Sequence, residues 1–181
     1  MRALEVKPGS IDLFANDLKG EGAAGMACFI DGCPTVLYKP DSFARLEIAS
    51  RNGWGCCKVL AHEIGHHVWR RKRGDGRWGK SNWEGELAAD YYAGFAMARL
   101  GAGVEDIDDY FTWYFAPDGT EDHPDTVLRM RALRRGFIDG GGEGSSSLAA
   151  VMIGSTPDAA SKRVLKLHSS GTSGPSPATT A

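Results

Sequence analysis

Apolar residues return at four-residue intervals through Leu60, Ile64 and Val68. That spacing predicts a helix from about Trp54 or Cys56 to Arg73, with these three side chains facing the core. A second helical pattern covers 83–100, where Leu87, Ala88, Ala89, Tyr92 and Ala93 predict a mostly buried helix that stops at Gly101. Asp41 or Ser42 can cap a helix through Phe43, Leu46 and Ile48 towards Ser50, ahead of the interrupting Gly53 and Gly55. A short helix is expected from Glu105 to Phe115, with Tyr110, Phe111, Trp113, Tyr114 and Phe115 on its later turns for packing. A last one, opened by Pro124 at its first position, carries Val127, Leu128, Met130, Ala132 and Leu133 to Arg135 and closes at Gly136.

Nearer the start the period shortens. The apolar runs 25–30 and 33–38 flank Asp31-Gly32, which predicts a β-hairpin. Pro34 has no N–H to give, which puts the second strand at an edge or makes its start irregular. Before the hairpin, Ile11, Leu13, Phe14 and Leu18 are spaced loosely as in a helix and end in the breaker-rich Lys19-Gly20-Glu21-Gly22. These elements predict an α+β, mainly helical domain with a small sheet.

Length and composition set the boundaries. A chain of 181 residues has room for one ordinary domain and a tail. Residues 1–22 form an N-terminal segment and 23–139 the domain. Residues 140–181 open with Gly140-Gly141-Gly142 and Ser145-Ser146-Ser147, end rich in Ser, Gly, Pro and Thr, and read as a disordered tail, with a short isolated helix over Asp158 to His168. A net charge of −2 argues against binding to nucleic acid along the whole chain. The run Arg70-Arg71-Lys72-Arg73 reads as the solvated end of a helix, where the dipole favours cations. Glu5, Lys7 and Pro8 stand where a signal peptide needs an apolar run, and no stretch is long and apolar enough to span a membrane. The expected location is therefore the cytoplasm. There Cys28, Cys33, Cys56 and Cys57, which form no C-x-x-C, stay as thiols.

The chemistry concentrates on the helix around residue 60. His62 and His66 are four apart, so both imidazoles leave one face one turn apart, the spacing two ligands on one element need for a single ion. Glu63 lies beside them, placed to act on water at that ion. Gly65 removes a side chain between the ligands, which lets another backbone or the metal come close, against a cost of about 1 kcal/mol in helix propensity. On the next helix Glu86 and Asp90 share a face, and two carboxylates there repel unless a positive charge lies beside them. Catalytic zinc takes three protein ligands, and Glu86 supplies the third. Asp90 can accept the remaining N–H of a ligating histidine. Glu84 is the competing ligand but lies on a different face from Asp90. His67 is read as a neighbour that points off the ligand face.

His62-Glu63-x-x-His66 followed by Glu86-x-x-Ala89-Asp90 resembles the gluzincin metallopeptidases, and His123-Pro124-x4-Arg129 narrows the resemblance to their M48-like branch, which includes the heat-shock membrane protease and the CAAX prenyl protease. The string "ELAADYYAGFAMARLGAG" is similar to the corresponding helix of small soluble members, and the likeness covers roughly residues 23 to 138. It implies a zincin-like fold and a zinc endopeptidase acting on a peptide or protein. One zinc would be held by His62, His66 and Glu86, with Glu63 as general base. It further implies that Asp90 orients a ligand, that His123 stabilises the oxyanion or substrate, that Arg129 orders the local carboxylates, and that strand 25–30 is the substrate-binding edge. The branch's larger members have membrane helices and this chain has none, so membrane substrates do not carry over. Two alternatives stay open: a regulatory peptidase of the ImmA/IrrE type that cuts a DNA-binding repressor, and a non-catalytic zinc-binding interaction module.

Overall fold

The computed structural model describes residues 6–16, 24–50, 53–74, 83–108 and 118–143. Three strands, β1 (Asp12–Ala15), β2 (Gly25–Ile30) and β3 (Cys33–Tyr38), form one sheet in the order β1-β3-β2. Five helices follow among the described residues: α1 (Pro40–Ala49), α2 (Gly55–Arg73), α3 (Trp83–Leu100), α4 (Val104–Asp108) and α5 (Thr126–Asp139). The fold is α+β and mainly helical. The chain divides into Met1–Ser145 and Ser146–Ala181, and every described element lies in the first part. The expected tail beyond 143, the short helix over Asp158 to His168 and the breaker-rich Lys19–Gly22 lie outside the described residues.

The hairpin forms as its turn chemistry requires. Asp31 and Gly32 both take positive φ, 50° and 79°, which is the backbone a two-residue turn between twisted strands needs. β2 pairs antiparallel with β3 from Gly25↔Tyr38 to Ile30↔Cys33. Pro34 does not put β3 at an edge: β3 is the central strand. Its ladder with β1 starts only at Asp12↔Thr35, one residue after the proline, so no pairing with β1 is asked of the imide nitrogen. The segment expected to be loosely helical is also different. Asp12–Ala15 is a strand parallel to β3. Four apolar positions could not reveal a partner more than twenty residues further on, and the backbone pairing outweighs a weak local pattern.

Helix boundaries shift where one residue has two possible uses. Pro40 opens α1 after Lys39, ahead of the expected Asp41 or Ser42, because its fixed φ suits a first helical turn. At α5 the cap is Asp125, whose carboxylate accepts the N–H of Leu128 at 2.9 Å, so Pro124 lies outside the helix. Gly136 does not end α5, which continues to Asp139. A Cβ on Gly136 would overlap the carbonyl oxygen of Tyr91, and one on Gly94 would overlap that of Leu133. These two glycines are contact points that let the α3 and α5 backbones meet, a use that sequence alone does not separate from a helix stop. α4 begins where expected and is described to Asp108; its predicted aromatic turns to Phe115 lie outside the described residues.

The core lies between these layers. Ala93, Ala96 and Met97 of α3 pack with Leu133 and Phe137 of α5, and Val68 of α2 and Val36 of β3 belong to the same cluster. Leu60 and Ile64 are packed against it while only half-buried. α2 is thus clamped between the sheet and α3, which fixes the direction of its histidines. No described helix is long and apolar enough to cross a membrane.

Candidate metal centre

α2 and α3 approach closely at Gly65. A Cβ there would lie 2.8 Å from the carbonyl oxygen of Ala89 and 3.0 Å from its Cα. The glycine stands between His62 and His66, and Ala89 stands between Glu86 and Asp90. The contact therefore sets the acidic pair directly against the histidine pair.

The result is a triangle of donors. His62 Nε2 is 3.4 Å from Glu86 Oε2, and His66 Nε2 is 3.5 Å from Glu86 Oε1. One ligand atom from each of His62, His66 and Glu86 falls within 4.8 Å of the others. Bonds of roughly 2.0–2.1 Å at tetrahedral angles leave ligand atoms about 3.4 Å apart, close to each of these two histidine–Glu86 separations, so the three residues could hold a metal ion. The imidazole pair meets nearly at right angles, 88° with centroids 4.8 Å apart, so the two rings converge without stacking. His62 and Glu86 are buried, and Glu86 Oε2 is also approached by His123 Nε2 at 3.6 Å and Arg129 NH2 at 3.7 Å. A carboxylate drawn out of water needs that concentration of positive charge.

The charges settle each other. Burial alone would raise the Glu86 carboxyl, but the hydrogen bond and charge of His62, then His66 and His123, hold it down at about 2. Burial would likewise lower His62, yet Asp90, Glu86 and Glu63 lift it to about 10. His66 goes the other way: burial and the neighbouring His62 push it down to about 3, which keeps its ring neutral and able to donate a lone pair.

Behind the triangle is a second layer of fixed groups. Asp90 is fully buried and accepts from His62 Nδ1 at 2.9 Å, leaving Nε2 to face the centre. Arg129, 2% exposed on α5, grips the same carboxylate with two bonds, Nε to Oδ2 at 2.7 Å and NH2 to Oδ1 at 2.9 Å. The α3–α5 glycine contacts bring Arg129 this close.

Glu63 faces the sheet side of the centre. Its Oε2 accepts the N–H of Ala27 in β2 at 2.7 Å. Burial raises its pKa, against the opposing pull of His62 and that bond. His123 is half-exposed in the loop before α5, which is tied by Thr120 N–H to His123 O at 2.8 Å and His123 N–H to Thr120 Oγ1 at 3.0 Å.

The remaining candidates separate cleanly. Glu84 is exposed and pairs with Arg73 at 3.1 Å, away from the triangle. His67 points to the sheet, where its Nε2 bonds the carbonyl of Thr35 at 2.9 Å. All four cysteines are free thiols. Cys56 donates to Phe43 O at 3.3 Å, and burial with Glu47 beside it pushes it up to about 12, the chemistry of an inert thiol. The contact that sequence reasoning missed is the Ala27 amide on Glu63. It is a backbone group, and no residue pattern announces it.

Comparison with protein-family models, with curated proteins and with solved structures finds no match to this chain.

Proposed function

We propose that this protein is a zinc-dependent endopeptidase that hydrolyses peptide bonds with Glu63 as general base. The observation that carries this reading is the largely buried donor triangle of His62, His66 and Glu86 with a second carboxylate, Glu63, one residue from the first ligand. Two imidazoles and one carboxylate are a donor set of catalytic zinc, which keeps a further position open. Bound there, zinc would supply Lewis acidity, lowering the pKa of water towards about 7 and polarising the scissile carbonyl. Glu63 takes the proton from the attacking water and passes it to the leaving amine. Its raised pKa suits a group that must both accept and return a proton. His123, half-exposed at the rim, donates a hydrogen bond to the carbonyl oxygen as charge builds there. Asp90 and Arg129 act through His62, holding its ring in one tautomer.

The substrate is an extended peptide. β2 lies at the edge of the sheet order among the described residues, and its Ala27 touches Glu63, so a peptide added along this edge as a further strand would pass the reacting groups.

Metal content by mass spectrometry, together with cleavage of unfolded casein, tests the reading on wild type, Glu63→Gln and Glu86→Ala. The expected result is one zinc in wild type and Glu63→Gln, none in Glu86→Ala, and cleavage by wild type alone. Stoichiometric zinc in Glu86→Ala would remove that residue from the ligand set. Zinc without cleavage in wild type would leave a metal-binding module in place of a peptidase.

A further inference from the structure

A separate cavity of about 430 Å³ opens at the C-terminal end of α2, between that helix, the sheet and the segment leading into β1. It is larger than packing defects, which rarely exceed a water molecule, and falls in the size range of small-molecule sites. Its lining is mostly apolar: Val6, Ile11, Pro34 and Val68 contribute aliphatic surface, and Phe29 an aromatic wall. Among the described residues its cations are Arg70 and Arg71, Ser10 and His67 are its other polar residues, and no carboxylate lines it.

The four cations of residues 70–73 do not act as one solvated cluster. Lys72 lies over the ring of Tyr92 and Arg73 pairs with Glu84, so these two serve α3. Arg70 and Arg71 line the cavity instead. The guanidinium of Arg70 lies 4.2 Å above the Phe29 ring, and that stacking holds the planar group at the wall. Helix-dipole compensation explains cations anywhere in this last turn. It does not explain an apolar chamber beside two of them.

We propose that this cavity binds an amphipathic monoanion, a carboxylate carried on a medium-length aliphatic chain, with the chain against Val6, Ile11, Pro34 and Val68 and the carboxylate on Arg70 and Arg71. Guanidinium is the donor suited to a carboxylate, since its parallel N–H groups match the two oxygens. The apolar walls favour a hydrocarbon body, and the two guanidinium groups favour an anionic head over a cationic one. The site is independent of the metal centre: His67 presents its Nε2 to Thr35 on the sheet side, whereas His66 faces Glu86.

The test is isothermal calorimetry of the full chain with decanoate, decanol and acetate. Decanoate is expected to bind, and decanol and acetate each to bind about tenfold or more weaker, because each lacks one half of the recognition. Arg70→Gln and Arg71→Gln, with circular dichroism matching wild type, are each expected to weaken decanoate about tenfold while leaving zinc content unchanged. His66→Ala, which removes a metal donor, is expected to bind decanoate as wild type does. Decanoate affinity equal to that of decanol, or unchanged in both arginine variants, would overturn the proposal. So would loss of decanoate binding in His66→Ala, since that places the carboxylate on a metal.

Discussion

Gly65→Ala is the substitution whose consequence is most directly set by the geometry. The new methyl carbon would lie 2.8 Å from Ala89 O and 3.0 Å from Ala89 Cα, where ordinary contact begins at 3.4 Å. Both obstacles are backbone of a helix packed on its far side by α5, so neither can rotate away. α2 and α3 must part by roughly half an ångström, since close-packed interiors leave no slack to absorb the methyl. Overpacking of this kind costs about 1–3 kcal/mol. Alanine returns about 1 kcal/mol through its better helix propensity. The net loss of stability is therefore small, on the order of 1 kcal/mol, or roughly 3–5 °C in Tm for a domain of this size. The donor triangle has no such compensation. The histidines are on one helix and Glu86 on the other, and ligand distances tolerate only about 0.2 Å. Zinc affinity should fall about tenfold or more, a range seen when groups that orient ligands are disturbed. Calorimetric unfolding and a chelator-competition titration on the same preparations give both quantities. A variant that loses several degrees but binds zinc as tightly as wild type would show that the Gly65–Ala89 contact does not set the ligand geometry. One unchanged in both would refute the close approach itself.

Four further outcomes are expected. Zinc binding should release about one proton at pH 7, because Nε2 of His62, lifted to about 10, is protonated there. Affinity should accordingly rise with pH up to about tenfold per unit until that value is passed, and calorimetry in buffers of different ionisation enthalpy would show no release if His62 were neutral. Arg129→Ala leaves the fully buried Asp90 without its bidentate partner and should cost about 3–5 kcal/mol, read from the urea midpoint; a loss under about 1 kcal/mol would mean that Asp90 is held by His62 alone. Glu63→Gln should retain zinc and lose peptide hydrolysis, and measurable turnover by the variant would assign the base elsewhere. At pH 8, iodoacetamide should label exposed Cys33 well before Cys56, whose thiol is pushed up to about 12, and comparable rates by mass spectrometry would contradict the Glu47 contact.

Periodicity over long stretches was legible, and so was chemistry confined to one face of a helix. α3 runs between the residues that its pattern marks, and the two i, i+4 pairs, His62/His66 and Glu86/Asp90, do meet across α2 and α3. The spacing also separated Glu86 from Glu84, which turns to Arg73. What failed was information held by a distant partner. β1 is a strand because β3 lies beside it, and β3 is central for the same reason, whatever Pro34 suggests locally. Gly136 looks like a stop until Tyr91 is known to press against it. The amide that holds Glu63 belongs to Ala27, and a backbone donor has no letter of its own.

The buried polar groups make better sense as one charge system than as a list of contacts. Three carboxylates, Glu63, Glu86 and Asp90, lie in or against a space from which water is largely excluded, and one guanidinium, Arg129, is fixed among them. Left fully ionised, that set carries two uncompensated negative charges, which a low-dielectric interior does not tolerate. The protein's own groups respond by holding protons: His62 is lifted to about 10, and the pKa of Glu63 is raised. A divalent cation would offset both charges at once, and on an atom that already faces two imidazole nitrogens. A stability-driven core would have placed aliphatic side chains here, since a buried ion pair rarely outperforms them. Such an arrangement is costly to fold, and an ion between His62, His66 and Glu86 would offset that cost, which favours the proposed metal centre over a salt-bridge network.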